Sequence, residues 1–590
     1  MAAFGGHFFC SSLNGLKVGL YSPSIQSGNI SSEESKQPVF TKIFSTMKYY
    51  VLTLGVLTLS MFSCHNASLK SKSKMLNMDQ LAPSNARTYN ISTSESKKEE
   101  PQLVGNKTWT VADNCEQEKE SEEVYNAIIE NEFLTSHEAP LSTFSIDVDN
   151  AAYSNMRRYV ESGSLPPRDA VRIEEFINYF DYDYPQPEDN LPFSVTTELA
   201  ACPWNAQHQL VLIGLQGKEI EMELAPASNL VFLVDVSGSM QDENKLPLVQ
   251  NGLNMLVEQL DENDKVAIVT YAGNAGVALT STSCSMKEKI HGAINSLMSG
   301  GSTNGEGGIL KAYEIAQNSF ITGGNNRVIL CSDGDFNVGI SSENELVKLI
   351  EKKRKSGVYF TTCGFGMGNY KDNTMEQLAD HGNGAYFYID GVQEAERVFV
   401  QGLRSTLYTI AKDVKIQVEF NPLAVESYRL IGYENRALEN RDFEDDAIDA
   451  GDIGAGHSVT ALYEITPAYG QTQLSNLKYQ QTTVSSAAKQ SGEMLTVQLR
   501  YKEPTAEKSQ LISSTLKKEN LTTSPSDNLK WASSVASFGM LLRDSKHKGN
   551  STLESVKTLA SGVSDAYTNP YKIEFLKLVA ACNNFEMAKK

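Results

Sequence analysis

Positive charge is in short supply in this sequence: 52 Lys and Arg face 72 Asp and Glu over 590 residues, a formal net charge of −20. No Lys/Arg-rich stripe interrupts the acidic excess, so a phosphate backbone would meet like charge, which argues against nucleic acid as a ligand. Histidine is sparse as well, with 8 residues and none in His-Glu-X-X-His or another zinc spacing. The glycine-rich stretch Gly300 to Gly308 lacks the Gly-Lys-Ser/Thr ending of a P-loop, and Gly364-Phe-Gly-Met-Gly368 is only a loop, so nothing supports nucleotide binding. The 8 cysteines fall at irregular spacings that define no disulfide framework, and no essential disulfide is expected. Long apolar runs are missing too, since the run from Val51 to Phe62 is too short to span a bilayer.

That short run has a different meaning in context. It follows Met47-Lys48-Tyr49-Tyr50 and ends in Ser63-Cys64, after which the chain turns polar. The arrangement resembles a bacterial lipoprotein signal, and the resemblance implies that Cys64 is lipidated and becomes the mature first residue. Residues 1–46 are then expected to be a mis-assigned leader, with Met47 as the true start and 47–64 as the signal. Residues 65–123 are rich in Ser, Lys, Asn and Glu with few apolar side chains, so they cannot bury enough surface to offset ordering and read as a disordered tether.

The remaining length suits a multidomain body. Residues 124–190 read as an amino-terminal α/β module: Leu141 to Asn150 alternates like a strand, and Ala151 to Glu161 places Tyr153, Met156 and Val160 on one helical face. Asp147 and Asp149 lack the glycine and terminal Glu of a calcium loop, so Asp149 or Asn150 is expected to cap the helix. A second helix runs from Val171 to Phe180. Within 191–225, Phe193 to Leu199 and Gln209 to Gly214 read as strands. They are expected to join strands of a β-rich domain at 406–525 in one β-sandwich, with the intervening domain inserted between them. There the candidates are Val414 to Phe420, Val425 to Tyr433, Val459 to Ile465 and Leu495 to Tyr501; the acidic run Glu439 to Asp452 reads as a solvated loop. Residues 526–590 turn helical.

Between the flanks, residues 226–405 alternate strands near 229–235, 265–272, 327–332, 358–363 and 385–389 with helical patterns. Such alternation predicts a doubly wound, mostly parallel sheet. The gap between Tyr271 and Val277 permits only a hairpin, hence one antiparallel edge strand at 276–281. The fold class read from the whole is therefore multidomain α/β, with this sheet flanked by a β-sandwich-like domain and small helical segments.

Chemistry concentrates where those strands end. Val231-Phe-Leu-Val-Asp235-Val-Ser237-Gly-Ser239 is a buried-strand run that stops in a carboxylate and two alternate hydroxyls. Ligands of open α/β sheets bind at the carboxyl ends of the strands. Hard cations such as Mg²⁺ take oxygen donors. Thr303, in the glycine-rich loop, and Asp333, closing the apolar strand Val328 to Ser332, bring the set to five protein oxygens. Asp-X-Ser-X-Ser, a lone Thr in a glycine-rich loop and Ser-Asp-Gly, in that order, resemble the metal-ion-dependent adhesion site of von Willebrand factor type A domains. The resemblance implies that Ser237, Ser239 and Thr303 bind Mg²⁺ or Mn²⁺ directly, and Asp235 and Asp333 directly or through water. It also implies an open coordination position for an acidic side chain of a protein partner. The flanks resemble the modules around the type A domain in a group of bacterial envelope proteins. The expectation is a non-enzymatic, lipid-anchored envelope protein. The alternatives are a structural or assembly protein with a metal-rigidified crevice and, less favoured, a Mg²⁺-dependent phosphohydrolase, which of the haloacid-dehalogenase type would need Asp where this chain has Ser237.

Overall fold

The computed structural model describes residues 123–188, 191–221, 225–302, 304–334, 343–368, 370–468, 488–489 and 491–588. The leader, the signal with Cys64, the tether up to residue 122 and Thr303 lie outside the described residues.

The chain opens with β1 (Leu134–Thr135), β2 (Leu141–Ser145), α1 (Ala151–Glu161) and α2 (Ile173–Asn178), followed by β3 (Phe193–Ala201) and β4 (Gln209–Gly217). The central α/β domain then runs through β5 (Ser228–Asp235), α3 (Leu246–Gln259), β6 (Lys265–Tyr271), β7 (Ala275–Ser283), α4 (Lys287–Asn295), α5 (Gly305–Asn318) and β8 (Asn325–Ser332). It continues with α6 (Glu343–Arg354), β9 (Tyr359–Phe365), α7 (Asp372–Asp380), β10 (Tyr386–Ile389), α8 (Val392–Glu396), a π-helical turn (Arg397–Gln401) and α9 (Leu403–Leu407). Sequence periodicity gives one helix over 392–403; the structure breaks it at the π turn.

Its sheet has the order β10-β9-β8-β5-β6-β7, parallel throughout except for the antiparallel β6–β7 hairpin. Side chains alternate across a strand, so a strand covered on both faces reads as one unbroken apolar run. In β5, Leu230, Phe232 and Val234 enter the core beneath α3 and α4, while Val231 and Leu233 enter the core beneath α5, α6 and α7. Each such fully buried aliphatic side chain contributes about 1.5–3 kcal/mol of transfer free energy. Helix α5 packs so close to the sheet that a Cβ on Gly308 would lie 2.9 Å from Tyr271 Cβ.

The last elements are β11 (Thr409–Phe420), β12 (Val425–Ile431), β13 (Gly451–Gly454), β14 (Ser458–Pro467), β15 (Glu493–Lys502), β16 (Gln510–Lys517) and β17 (Leu521–Thr522), then α10 (Asp527–Arg543), α11 (Leu553–Ser561) and α12 (Pro570–Ala588). One sheet runs β1-β12-β14-β4-β3-β17; the other runs β13-β11-β15-β16, with β2 also paired to β11. Thus β3 and β4, which precede the central α/β domain, share a sheet with β12 and β14, which follow it, and Ile213 faces Ala461 across the ladder. Val211, Ile213 and Leu215 of β4 pack in the core shared with β11 and β15. Leu210 and Leu212 point the other way, into a helical layer containing Tyr153, Phe176, Trp531 and Phe575. The result is three layers. The segment read as an amino-terminal module is distributed over them: it gives β1 and β2 to the sandwich sheets, and α1 and α2 to the same helical core as α10 and α12.

The aspartates before α1 do something other than cap it. Asn150 is the residue at the cap position, and its side chain makes no cap hydrogen bond. Asp149 Oδ1 accepts the N–H of Tyr386 at 2.7 Å, which satisfies a donor on the edge strand β10, and Arg436 pairs with both Asp147 and Asp149. An edge N–H and a guanidinium from a distant loop outcompete the local cap.

Candidate metal centre

At the carboxyl end of β5, Asp235 is 0% exposed. Its Oδ1 accepts the Ser237 N–H at 2.8 Å and its Oδ2 accepts the Ser332 hydroxyl at 3.1 Å. The first bond folds the chain back after the strand, so that the Ser237 and Ser239 hydroxyls come within 3.0 Å of each other. The second ties β5 to its neighbour β8, whose Ser332 also accepts the Gly334 N–H at 3.0 Å and so shapes the turn that carries Asp333. Ser239 lies exposed at the surface, whereas Ser237 and Asp333 are buried.

The glycine-rich loop is fastened to the same place by main-chain bonds. Gly300 N–H donates to Val236 O at 2.7 Å, and Gly238 N–H donates to Gly301 O at 3.0 Å. Three loops from β5, β8 and the start of α5 therefore meet at one end of the sheet. Asp235, Ser237, Ser239 and Asp333 are placed together there; Thr303 is next in chain to Ser302 but is itself outside the described residues.

Burial pushes the Asp235 carboxyl up to about 6, and the nearby charge of Asp333 adds to the rise, while the Ser237 N–H and the Ser332 hydroxyl oppose it. A carboxylate held at that cost gains from a cation brought close to it. The donor set is entirely hard oxygen, two carboxylates and two hydroxyls, which suits Mg²⁺ or Mn²⁺ and not a soft metal. Among the described residues no group of three or more His, Cys, Asp or Glu side chains offers a competing metal site.

One residue in the crevice has no counterpart in the sequence reading. Lys245, just ahead of α3, donates to Asp333 Oδ2 at 3.0 Å, and both side chains are buried. Its stem crosses Gly366, where a Cβ would lie 2.3 Å from Lys245 Cε and where φ is +79°, so only glycine fits the passage. Lys245 is the only basic residue between Asp235 and Lys265, which is the one signal the sequence offers. Nothing in local spacing brings it across to Asp333.

Family models match three consecutive parts of the chain: one described as von Willebrand factor at 119–212, one as von Willebrand factor type A domain at 229–401, and one as the C-terminal region of uncharacterized protein YfbK at 405–585. Uncharacterized protein YfbK of Escherichia coli (strain K12) is 42% identical over 447 residues, covering 75% of this chain and 77% of that protein. The chain belongs to the YfbK family of von Willebrand factor type A proteins. The type A match of this YfbK-family chain ends at the π turn, and the C-terminal match begins within α9. Among solved structures, von Willebrand factor type A from Catenulispora acidiphila is 14% identical with a TM-score of 0.39, covering 65% of this chain and 88% of that one. The ArnB paralog VWA2 from Sulfolobus acidocaldarius is 15% identical with a TM-score of 0.33, covering 67% and 98%. The fold stated above rests on the topology of the chain itself.

Proposed function

We propose that this protein is a non-enzymatic binding protein of the bacterial cell envelope that takes a protein partner at the crevice formed by Asp235, Ser237, Ser239, Thr303 and Asp333. The observation that carries the reading is the meeting of two carboxylates and two hydroxyls at the ends of β5 and β8. Mg²⁺ or Mn²⁺, when bound, supplies positive charge and an open position to an acidic side chain of the partner. Within the chain, Ser332 and the Ser237 N–H orient Asp235, Asp235 and Asp333 provide the negative charge, and Ser239 stands at the mouth where a partner approaches. Lipidation at Cys64, with residues 65–123 as tether, would hold the body at a membrane; among the described residues no helix is long and apolar enough to cross one.

Ser237 also weighs against phosphoryl transfer, because a hydroxyl stands where the second acid of a haloacid-dehalogenase-type site is needed. A second reading, a structural or assembly protein with a rigid crevice, draws on the Lys245–Asp333 pair, which already neutralises one acid. Capture of envelope proteins on the immobilised protein separates the two. Retention by the unmodified protein in Mg²⁺, lost in chelator and lost with Asp235→Ala, supports metal-bridged recognition; equal retention in all three conditions refutes it.

A further inference from the structure

A second polar site lies where the type A domain meets its flanks. A cavity of about 230 Å³ is lined by Arg327 of β8, Asn150 ahead of α1, Asp452 and His457 of the sandwich, and Arg397 of the π turn, with the exposed acids Asp181 and Glu219 also lining it. Its volume far exceeds the ~30 Å³ that one water occupies in the liquid and falls just below the usual range for drug-sized ligands.

Arg327 is what distinguishes this cavity. Among the described residues the other buried arginines are all matched to acids: Arg157 to Asp390 and Glu394, Arg172 to Asp372 and Glu175, Arg429 to Glu464, and Arg543 to Glu434. Arg327 is 2% exposed and forms no ion pair among the described residues. It donates to Thr361 Oγ1 at 2.6 Å and lies over the Tyr359 ring at 5.3 Å, and its Nε–H, like those of Arg429 and Arg436, has no hydrogen-bond partner among the described residues. Burial lowers its pKa only to about 10, so it stays cationic at neutral pH. A buried charge without a counter-charge is strongly disfavoured, which makes its retention informative.

The same cavity presents complementary orphans. Asp452 Oδ2, Asn150 Oδ1 and His457 Nε2 are buried atoms with no hydrogen-bond partner among the described residues, and Asn150 is 5% exposed. Asp452 is the carboxylate whose charge acts on Arg327, yet the two form no ion pair. The cavity is therefore lined by a cation and a carboxyl that form no ion pair among the described residues; Asp452 is held by the Asp413 N–H on Oδ1 at 3.1 Å, and burial pushes its carboxyl up to about 7.

We propose that this junction cavity binds a small zwitterion of amino-acid size, its carboxylate on the Arg327 guanidinium and its ammonium on Asp452, with Asn150 and His457 taking the remaining polar atoms. The carboxylate supplies the counter-charge that Arg327 lacks, and planar guanidinium donors match it. This site is separate from the metal crevice and does not depend on the function proposed for it.

The test is calorimetric titration and thermal melting of the protein with each of the twenty common L-amino acids. Succinate, an anion without an amine, and ethanolamine, a cation without a carboxylate, serve as controls. At least one amino acid is expected to bind with a Kd below about 1 mM and to raise the melting temperature. Arg327→Met and Asp452→Asn are each expected to weaken that binding about tenfold or more. Arg327→Met should melt no lower than the unmodified protein in the absence of ligand, because it removes an unpaired buried charge; a purely structural arginine would lower it. Binding of none of the twenty overturns the proposal. So does unchanged affinity in Asp452→Asn, or succinate binding as tightly as the best amino acid.

Discussion

The edge of the type A sheet and its central crevice use buried charge in opposite ways. Along the edge strand β10, the flanking layers dock through arginines saturated with acids: Arg157 reaches Asp390 at 2.7 Å and Glu394 at 2.7 Å, and Arg172 reaches Asp372 at 2.6 Å. Arg436 gathers Asp147, Asp149 and Asp380. At the ends of β5 and β8 the polarity is reversed. Two buried carboxylates stand among hydroxyls, with Lys245 paired to Asp333. A saturated pair fixes geometry and leaves nothing for a ligand; a carboxylate held by neutral donors keeps charge available. The contrast marks the edge as structural and the crevice as the place where binding is to be sought.

The comparison can be broken most severely at the edge. Arg157→Ala strands Asp390 and Glu394 as buried charges and is expected to cost about 3–5 kcal/mol of stability, read from denaturant unfolding. Metal affinity in the crevice should change little as long as the protein remains folded. Asp235→Ala should do the converse: divalent-ion binding falls about a hundredfold or more, read by calorimetry. In chelator, Asp235→Asn is expected to melt higher than the unmodified protein, because it removes a carboxyl that burial pushes up to about 6. A lower melting temperature would mean that Asp235 serves the fold.

Lys245 sharpens the contrast from the other side. Lys245→Met removes a positive charge from beside Asp333 and is expected to tighten Mg²⁺ binding about tenfold. Weaker binding would make the lysine a support of the site and not a competitor for its acid. The smallest effect lies in the helical flank. Thr552 accepts the Ser555 N–H in a reciprocal cap of α11, so Thr552→Ala should cost about 1 kcal/mol in unfolding and leave Mg²⁺ affinity unchanged.

What the sequence made legible follows from the range of the interactions involved. β5 and β8 announce themselves as unbroken apolar runs because both faces are covered, and the short gap after Tyr271 forces the β6–β7 hairpin. Asp235, Ser237, Ser239 and Asp333 were readable because strand ends of a doubly wound sheet converge by topology. The partners that sit far along the chain were not readable. β2 pairs with β11 in the register Phe144 to Ile416, and Asp149 finds Arg436 and the edge of β10 in place of its own helix. Lys245 reaches Asp333 only because Gly366 clears its path. Nothing in the sequence sets Arg327 apart at the start of its strand, since the lack of an ion-pair partner is a property of the folded surroundings alone.

The central claim is that hard oxygens at the ends of β5 and β8 hold a divalent ion, and the most direct measurement is calorimetric titration of the purified protein with Mg²⁺ and Mn²⁺, beside Asp235→Ala. One saturable site is expected in the unmodified protein, with affinity about a hundredfold or more weaker in the variant. Equal heats in both proteins, or no saturable binding of either ion to the unmodified protein, would contradict it.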